Sequence, residues 1–164
     1  MSSLMNLTGS LLEDEGRLVV VCNISGNILG LPTAPIQEVL AIPEIRPVHH
    51  APSYVKGVFN LRGRVIVLID PAVRLELKPQ EPCSESRILV VQAGSELLGV
   101  LVDSLLGIFP FSPEQLTASP ESLTRSLKKA VEGFFFLNNK MVGLLKIDEL
   151  LERNTEANLE TVEV

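Results

Sequence analysis

A chain of 164 residues, 46% apolar and 21% charged, has the composition of one globular domain and is long enough to bury roughly 70% of the surface of its unfolded form. Six Phe, one Tyr and no Trp give no broad stacking platform, and fourteen basic against twenty acidic residues, a net charge of −6, give no counterion-releasing patch. Composition therefore argues against nucleic acid as a partner, and against attraction to an anionic membrane surface.

In chain order, residues 1–16 hold no Lys or Arg and no apolar run of signal-peptide type, and read as an N-terminal extension. Runs rich in β-branched residues predict strands at Leu18–Ile24, Ile28–Leu31 and Ile36–Ile42, divided by Ser25-Gly26-Asn27 and by the segment from Pro32 to Pro35. Strands Tyr54–Leu61 and Val65–Ile69 follow, joined by a tight hairpin turn at Arg62-Gly63, where Gly63 supplies positive φ. Asp70-Pro71 ends that strand and opens a short helix through Leu77. Residues 112–129, with Pro113 and Pro120, read as a loop with a helical turn. Beyond Asp148, Glu149, Glu152, Glu156, Glu160 and Glu163 face only Arg153, the pattern of a solvated helix end and a disordered or frayed acidic tail, 154–164. The apolar runs are far shorter than the ~20 residues of a membrane span, so no direct membrane insertion is expected. Cys22 and Cys83 lie far apart without Cys-x-x-Cys spacing, which suits a reduced cytoplasmic protein with neither a zinc site nor a disulfide framework.

The chain repeats itself. The segment VKGVFNLRGRVIVLIDPAVRL from Val55 falls without a gap on VEGFFFLNNKMVGLLKIDELL from Val131, at an offset of 76 residues. Gly57 matches Gly133, Phe59 matches Phe135 and Leu68 matches Leu144, while Asn138-Asn139 takes the place of the Arg62-Gly63 turn. Upstream, RLVVVCNISGNILGLP from Arg17 resembles RILVVQAGSELLGVLV from Arg87, aligning Val20 with Val90, Val21 with Val91 and Gly30 with Gly99. Two similar lobes, about 17–83 and 84–153, are expected to share an interface. With five short strands each and few helices, they read as small antiparallel barrels packed together.

No nucleophile elbow, dinucleotide fingerprint, Walker loop or zinc-protease motif occurs, and no catalytic, metal or cofactor residues are assigned. His49-His50, bracketed by Pro47 and Pro52, reads as an exposed loop pair; Asp70 and Asp103 end strands and read as capping carboxylates. Arg62 at a hairpin tip can hold its guanidinium clear of the sheet for recognition, or pair with Glu38 and fix the loop, two compatible roles. Phe134, Phe135 and Phe136 are consecutive, so aromatics must face both sides of a strand; all three are expected to be buried between the lobes, the alternative being that one ring belongs to an exposed partner surface such as a kinase contact.

The string Val55-Lys56-Gly57-Val58-Phe59-Asn60-Leu61-Arg62-Gly63 running into Val65–Asp70 resembles the hallmark of the CheW family of chemotaxis coupling proteins. Ile36–Val39, Leu98–Asp103 and the hairpin from Val131 to Leu151 follow in family order, so the resemblance covers about Arg17 to Arg153. It implies two SH3-like five-stranded barrels and a non-catalytic adaptor without cofactors. The implied partners are the regulatory domain of a CheA-type histidine kinase and the cytoplasmic tip of a chemoreceptor. The implied location is cytoplasmic, at receptor arrays on the inner membrane, with a flagellar, pilus or other output. Receptor contacts carry over to Ile36, Glu38, Gly57, Arg62 and Ile108, and structural turns to Gly63, Asn138 and Asn139. Lys146 and Pro71 depart from the family's usual Asp and Leu. The alternatives are a divergent adaptor or inhibitor in a different assembly, or a small-ligand-binding two-barrel protein.

Overall fold

Short apolar runs cut by Gly, Asn and Pro become ten strands in the computed structural model, which describes residues 17–151. The N-terminal extension 1–16 and the acidic tail lie outside the described residues. The strands are β1 (Arg17–Ile24), β2 (Asn27–Pro32), β3 (Ile36–Ala41), β4 (Val55–Leu61), β5 (Arg64–Ile69), β6 (Arg87–Ala93), β7 (Glu96–Val102), β8 (Ser104–Phe111), β9 (Val131–Leu137) and β10 (Lys140–Leu145). Three short helices accompany them, α1 (Pro71–Arg74), α2 (Arg125–Ala130) and α3 (Ile147–Leu151), with a 3-10 turn at Pro113–Gln115. The helix expected through Leu77 stops at Arg74. Asp70 caps its start by accepting a hydrogen bond from the Ala72 N–H at 3.0 Å, and Glu76 turns to φ +57°, outside the right-handed helical range.

The strands form two five-stranded sheets, ordered β8-β1-β2-β10-β9 and β3-β6-β7-β5-β4. Most neighbours are antiparallel, but each sheet holds one parallel pair, β2 with β10 and β5 with β7, so the barrels are not wholly antiparallel as expected. The division at about residue 83 also needs correction. Each sheet combines three strands of one repeat with a two-strand hairpin of the other. The junctions are equivalent: Leu68 pairs with Gly99 and Leu144 with Gly30, positions that match in the repeat. The two copies thus exchange hairpins: one sheet is built from the consecutive strands β3–β7, the other from β1 and β2 together with β8–β10.

This exchange explains why β1 and β6 are apolar along their length. Alternate residues of a strand face opposite sides of the sheet. Val19 and Val21 point into one lobe with Phe111, Phe135, Val142 and Leu144, while Ile88 and Val90 point into the other with Phe59, Ile66, Leu68 and Leu101. The intervening Val20, Cys22, Leu89 and Val91 point out of their barrels into a third, larger core between the lobes, which α2 and α3 close with Leu127 and Leu150. Burying a Val or Leu side chain contributes about 1.5–3 kcal/mol, against ~0–1 kcal/mol for a surface ion pair, so this apolar core fixes the lobes against each other.

Candidate functional site

Arg62 and Gly63 are the two-residue link between β4 and β5, with Leu61 opposite Arg64. Their φ values of +50° and +86° are the left-handed pair a type I′ hairpin turn needs, and Asn60 Oδ1 accepts from the Gly63 N–H at 3.0 Å. The equivalent turn in the other lobe is Asn138-Asn139, at φ +50° and +66°. There Phe136 stands where Asn60 would provide the cap, and two Asn residues, tolerant of left-handed backbone, hold the turn. Gly63, Asn138 and Asn139 thus all lie in hairpin turns with left-handed backbone.

From this tip the Arg62 guanidinium reaches Glu38 on β3: Nη2 donates to Oε1 at 2.7 Å and to Oε2 at 3.1 Å. β3 and β4 are the outermost strands in the order of their sheet, so the pair ties the hairpin tip across to the opposite edge strand. The Arg62 side chain stays 71% exposed and that of Glu38 29% exposed. The hydrogen bond Arg62 donates to Glu38, followed by the carboxylate's charge, raises the Arg62 pKa further, so the guanidinium remains cationic. The site is a fixed, solvent-facing cation on a rigid hairpin, suited to a partner's carboxylates or carbonyls.

The other residues singled out are placed differently. Ile36 and Ile108 are partly buried at the rim of the core between the lobes. Glu38 lies opposite Val90 on β6, and Ile108 lies opposite Val20 on β1. Val21 pairs with Gly30 and Val90 with Gly99, so the place of Glu38 is taken in the other lobe by Gly107, opposite Val21, and not by Ile108. Gly57 is buried inside β4 and presents no surface.

Where the first lobe has the Arg62–Glu38 pair, the second has a mainly apolar groove that Lys140 also lines. This groove, of about 220 Å³, is lined by Val21, Ile28, Leu106, Phe109, Leu137 and Asn138, among others. Leu106 is 50% exposed; on the β9–β10 hairpin Phe136 is 59% and its cross-strand neighbour Met141 42% exposed. The expectation that all three phenylalanines are buried fails at Phe136. Phe135 fills the lobe and Phe134 the core between lobes, whereas Phe136, on the same face as Phe134 but nearer the tip, lies beyond that cover. The consecutive aromatics were the only sequence signal for this patch.

Among the described residues no three His, Cys, Asp or Glu side chains gather to hold a metal. His49 and His50 are exposed. Asp103 Oδ2 accepts from the Ser25 N–H at 2.7 Å and Asp70 caps α1, so both carboxylates have structural partners. Burial, reinforced by Asp103, pushes the Cys22 thiol up to about 12, far from a nucleophile's range. No helix among the described residues is long and apolar enough to cross a membrane.

The model of the CheW-like domain family matches residues 18–155. Over 139 residues the chain is 32% identical to the chemotaxis protein CheW of Rhizobium meliloti strain 1021, covering 85% of this chain and 90% of that one. It is 28% identical over 114 residues to protein PilI of Pseudomonas aeruginosa strain PAO1, covering 68% of this chain and 63% of that one. A solved structure, the scaffolding protein TtCheW from Thermoanaerobacter tengcongensis, superposes with a TM-score of 0.75 at 26% identity, over 85% of this chain and 90% of that one.

Proposed function

Because the chain belongs to the CheW-like domain family, we propose that it is a non-catalytic adaptor coupling chemoreceptors to a CheA-type histidine kinase in a chemosensory complex. The observation that carries this reading is the exposed Arg62, held by Glu38 at the tip of the β4–β5 hairpin. In the adaptor, Arg62 and Glu38 take polar groups of the receptor's cytoplasmic tip. Ile36 and Ile108, at the rim of the core between lobes, take its apolar side chains. The regulatory domain of the kinase docks elsewhere on the barrels, so one molecule of adaptor raises the effective concentration of receptor near kinase and passes the receptor's conformational bias on. The protein then works on the cytoplasmic side and reaches the membrane through its partners.

Calorimetric titration with the regulatory domain of a histidine kinase and with a receptor-tip fragment, both from the same organism, tests this. The adaptor reading expects saturable binding to each, and receptor binding weakened by Arg62→Ala. Absence of binding to both would contradict it.

A further inference from the structure

The resemblance assigns Gly57 to the receptor contact, yet Gly57 is buried and the space beside it is filled by the chain itself. Val55 pairs with Ile69 and Gly57 with Leu68, a bulge at Lys56 that kinks β4, and Gly57 adopts φ +155°. A Cβ at this position would stand 2.5 Å from the Arg46 carbonyl oxygen and 2.7 Å from Ile45 Cγ2. The segment that occupies this space, residues 42–46, leaves β3 directly after Ala41 and lies along the outer edge of β4. The Arg46 N–H donates to the Val58 carbonyl at 2.8 Å, and the Val58 N–H donates to the Arg46 carbonyl at 2.8 Å. Ile42 and Ile45 pack with Leu40 and Leu61 against the core around Phe59.

The second lobe repeats the arrangement independently. Gly133 matches Gly57, and a Cβ there would lie 3.0 Å from the Thr117 carbonyl oxygen. The Thr117 N–H donates to the Phe134 carbonyl at 2.7 Å, and the Phe134 N–H donates to Thr117 at 2.9 Å. In both copies a glycine makes room for a strap that closes the hairpin's outer edge.

We propose that Gly57 is a positioning residue, which acts on partner binding by seating the 42–46 strap and not by touching the partner. The proposal rests on the adaptor reading for its binding readout. The strap connects the strand carrying Glu38 to the hairpin carrying Arg62. Displacing it by a side chain at position 57 shifts the frame on which that ion pair is built, while the pair itself stays chemically intact.

The test uses the full chain with two variants. Gly57→Ala is expected to lower hydrogen-exchange protection of the Arg46 and Val58 amides by about tenfold or more, and receptor-tip affinity by a similar factor. Arg46→Pro leaves Gly57 in place but removes one strap hydrogen bond, and is expected to reproduce the loss of affinity. If Arg46→Pro does not fold, Ile45→Ala replaces it with the same expectation. Unchanged Arg46 and Val58 protection in Gly57→Ala, or wild-type affinity in the strap variant, overturns the proposal. Should the wild type not bind the receptor tip at all, the adaptor reading fails while the exchange comparison still decides whether Gly57 seats the strap.

Discussion

One nitrogen of Arg62, Nη2, serves both carboxylate oxygens of Glu38, at 2.7 and 3.1 Å, and so joins a hairpin tip to the opposite edge strand of the same sheet. The geometry leaves the rest of a largely exposed guanidinium facing solvent on a turn whose backbone is set by Gly63 and Asn60. Intramolecular pairing and partner recognition are therefore not alternatives: Glu38 restricts the rotamers of Arg62, which lowers the ordering cost a partner would otherwise meet. Arg62→Ala is expected to reduce affinity for a receptor-tip fragment by about ten- to hundredfold with little change in melting temperature. Glu38→Gln, which keeps an acceptor for Arg62, is expected to lose less. Equal losses in the two variants, measured by titration, would contradict the leading role given to Arg62.

The matched glycines Gly30 and Gly99 should respond differently to alanine. A Cβ at Gly99 would meet Phe59 Cε1 at 2.8 Å and Ile88 Cγ2 at 3.0 Å, both in the interior of one lobe. At Gly30 the nearest atom is Val142 Cγ1 at 3.4 Å, an ordinary contact. Gly99→Ala is expected to destabilise by about 1–3 kcal/mol through overpacking, and Gly30→Ala by less than about 1 kcal/mol. Urea unfolding of the two variants checks the order, and a reversed ranking would contradict the packing described.

Neighbouring phenylalanines should separate just as sharply. Phe135 is 1% exposed and packs on Phe111 with ring centroids 5.3 Å apart, whereas Phe136 is 59% exposed. Phe135→Ala is expected to cost about 3–5 kcal/mol, and Phe136→Ser to stay within about 0.5 kcal/mol. Similar losses at both positions in thermal melts would place Phe136 in the core after all.

Asp70 gives a pH dependence whose sign is opposite to that of a salt-bridged carboxylate. Burial raises its pKa above the ordinary 3.8, outweighing the Ala72 hydrogen bond and the charge of Lys56, which pull it down. The folded state therefore holds the proton more tightly than the unfolded chain. The associated stability is fully present below the unfolded-state pKa, and is lost as pH rises through the raised value. Asp70→Asn retains an oxygen for the Ala72 N–H and does not titrate. Relative to wild type, it should become more stable as pH rises from the acid range towards neutrality. Denaturant titrations across that window check this, and a variant that loses ground as pH rises would refute it.

The cysteines offer a simple chemical check. Cys83 is exposed, while Cys22 is buried with its thiol pushed up to about 12. A thiol reagent at neutral pH should label one equivalent in the folded protein and two after unfolding. Rapid labelling of both in the folded state would show that the core between the lobes opens.

Much of this was legible in the sequence. Gly63 and the Asn138-Asn139 pair marked the two hairpin turns because few residues adopt left-handed backbone, and the offset of 76 between Leu68 and Leu144 announced two related lobes. Which strands share a sheet was not legible. Val20, Val21, Val90 and Val91 are apolar toward both sides, so alternation could not say which face meets which lobe, and the pairing of Leu68 with Gly99 is a long-range contact without a local signature. The Arg62–Glu38 pair was open in the sequence as one of two roles for a hairpin-tip cation, but the two residues are 24 positions apart in the chain and only the sheet brings them together. The burial of Gly57 could not, because it depends on where residues 42–46 return to β4. The exposure of Phe136 was not legible for a related reason: how far the cover between the lobes extends along β9 is set by the opposite lobe.

The central claim is that this chain brings receptor and kinase together. The most direct measurement is co-sedimentation of the kinase with receptor-containing membranes, with and without the purified chain, using Arg62→Ala in parallel. The adaptor account predicts that the kinase sediments only when the wild-type chain is present and is largely released by the variant. Kinase that sediments equally with and without the chain, or equally with wild type and variant, would contradict it.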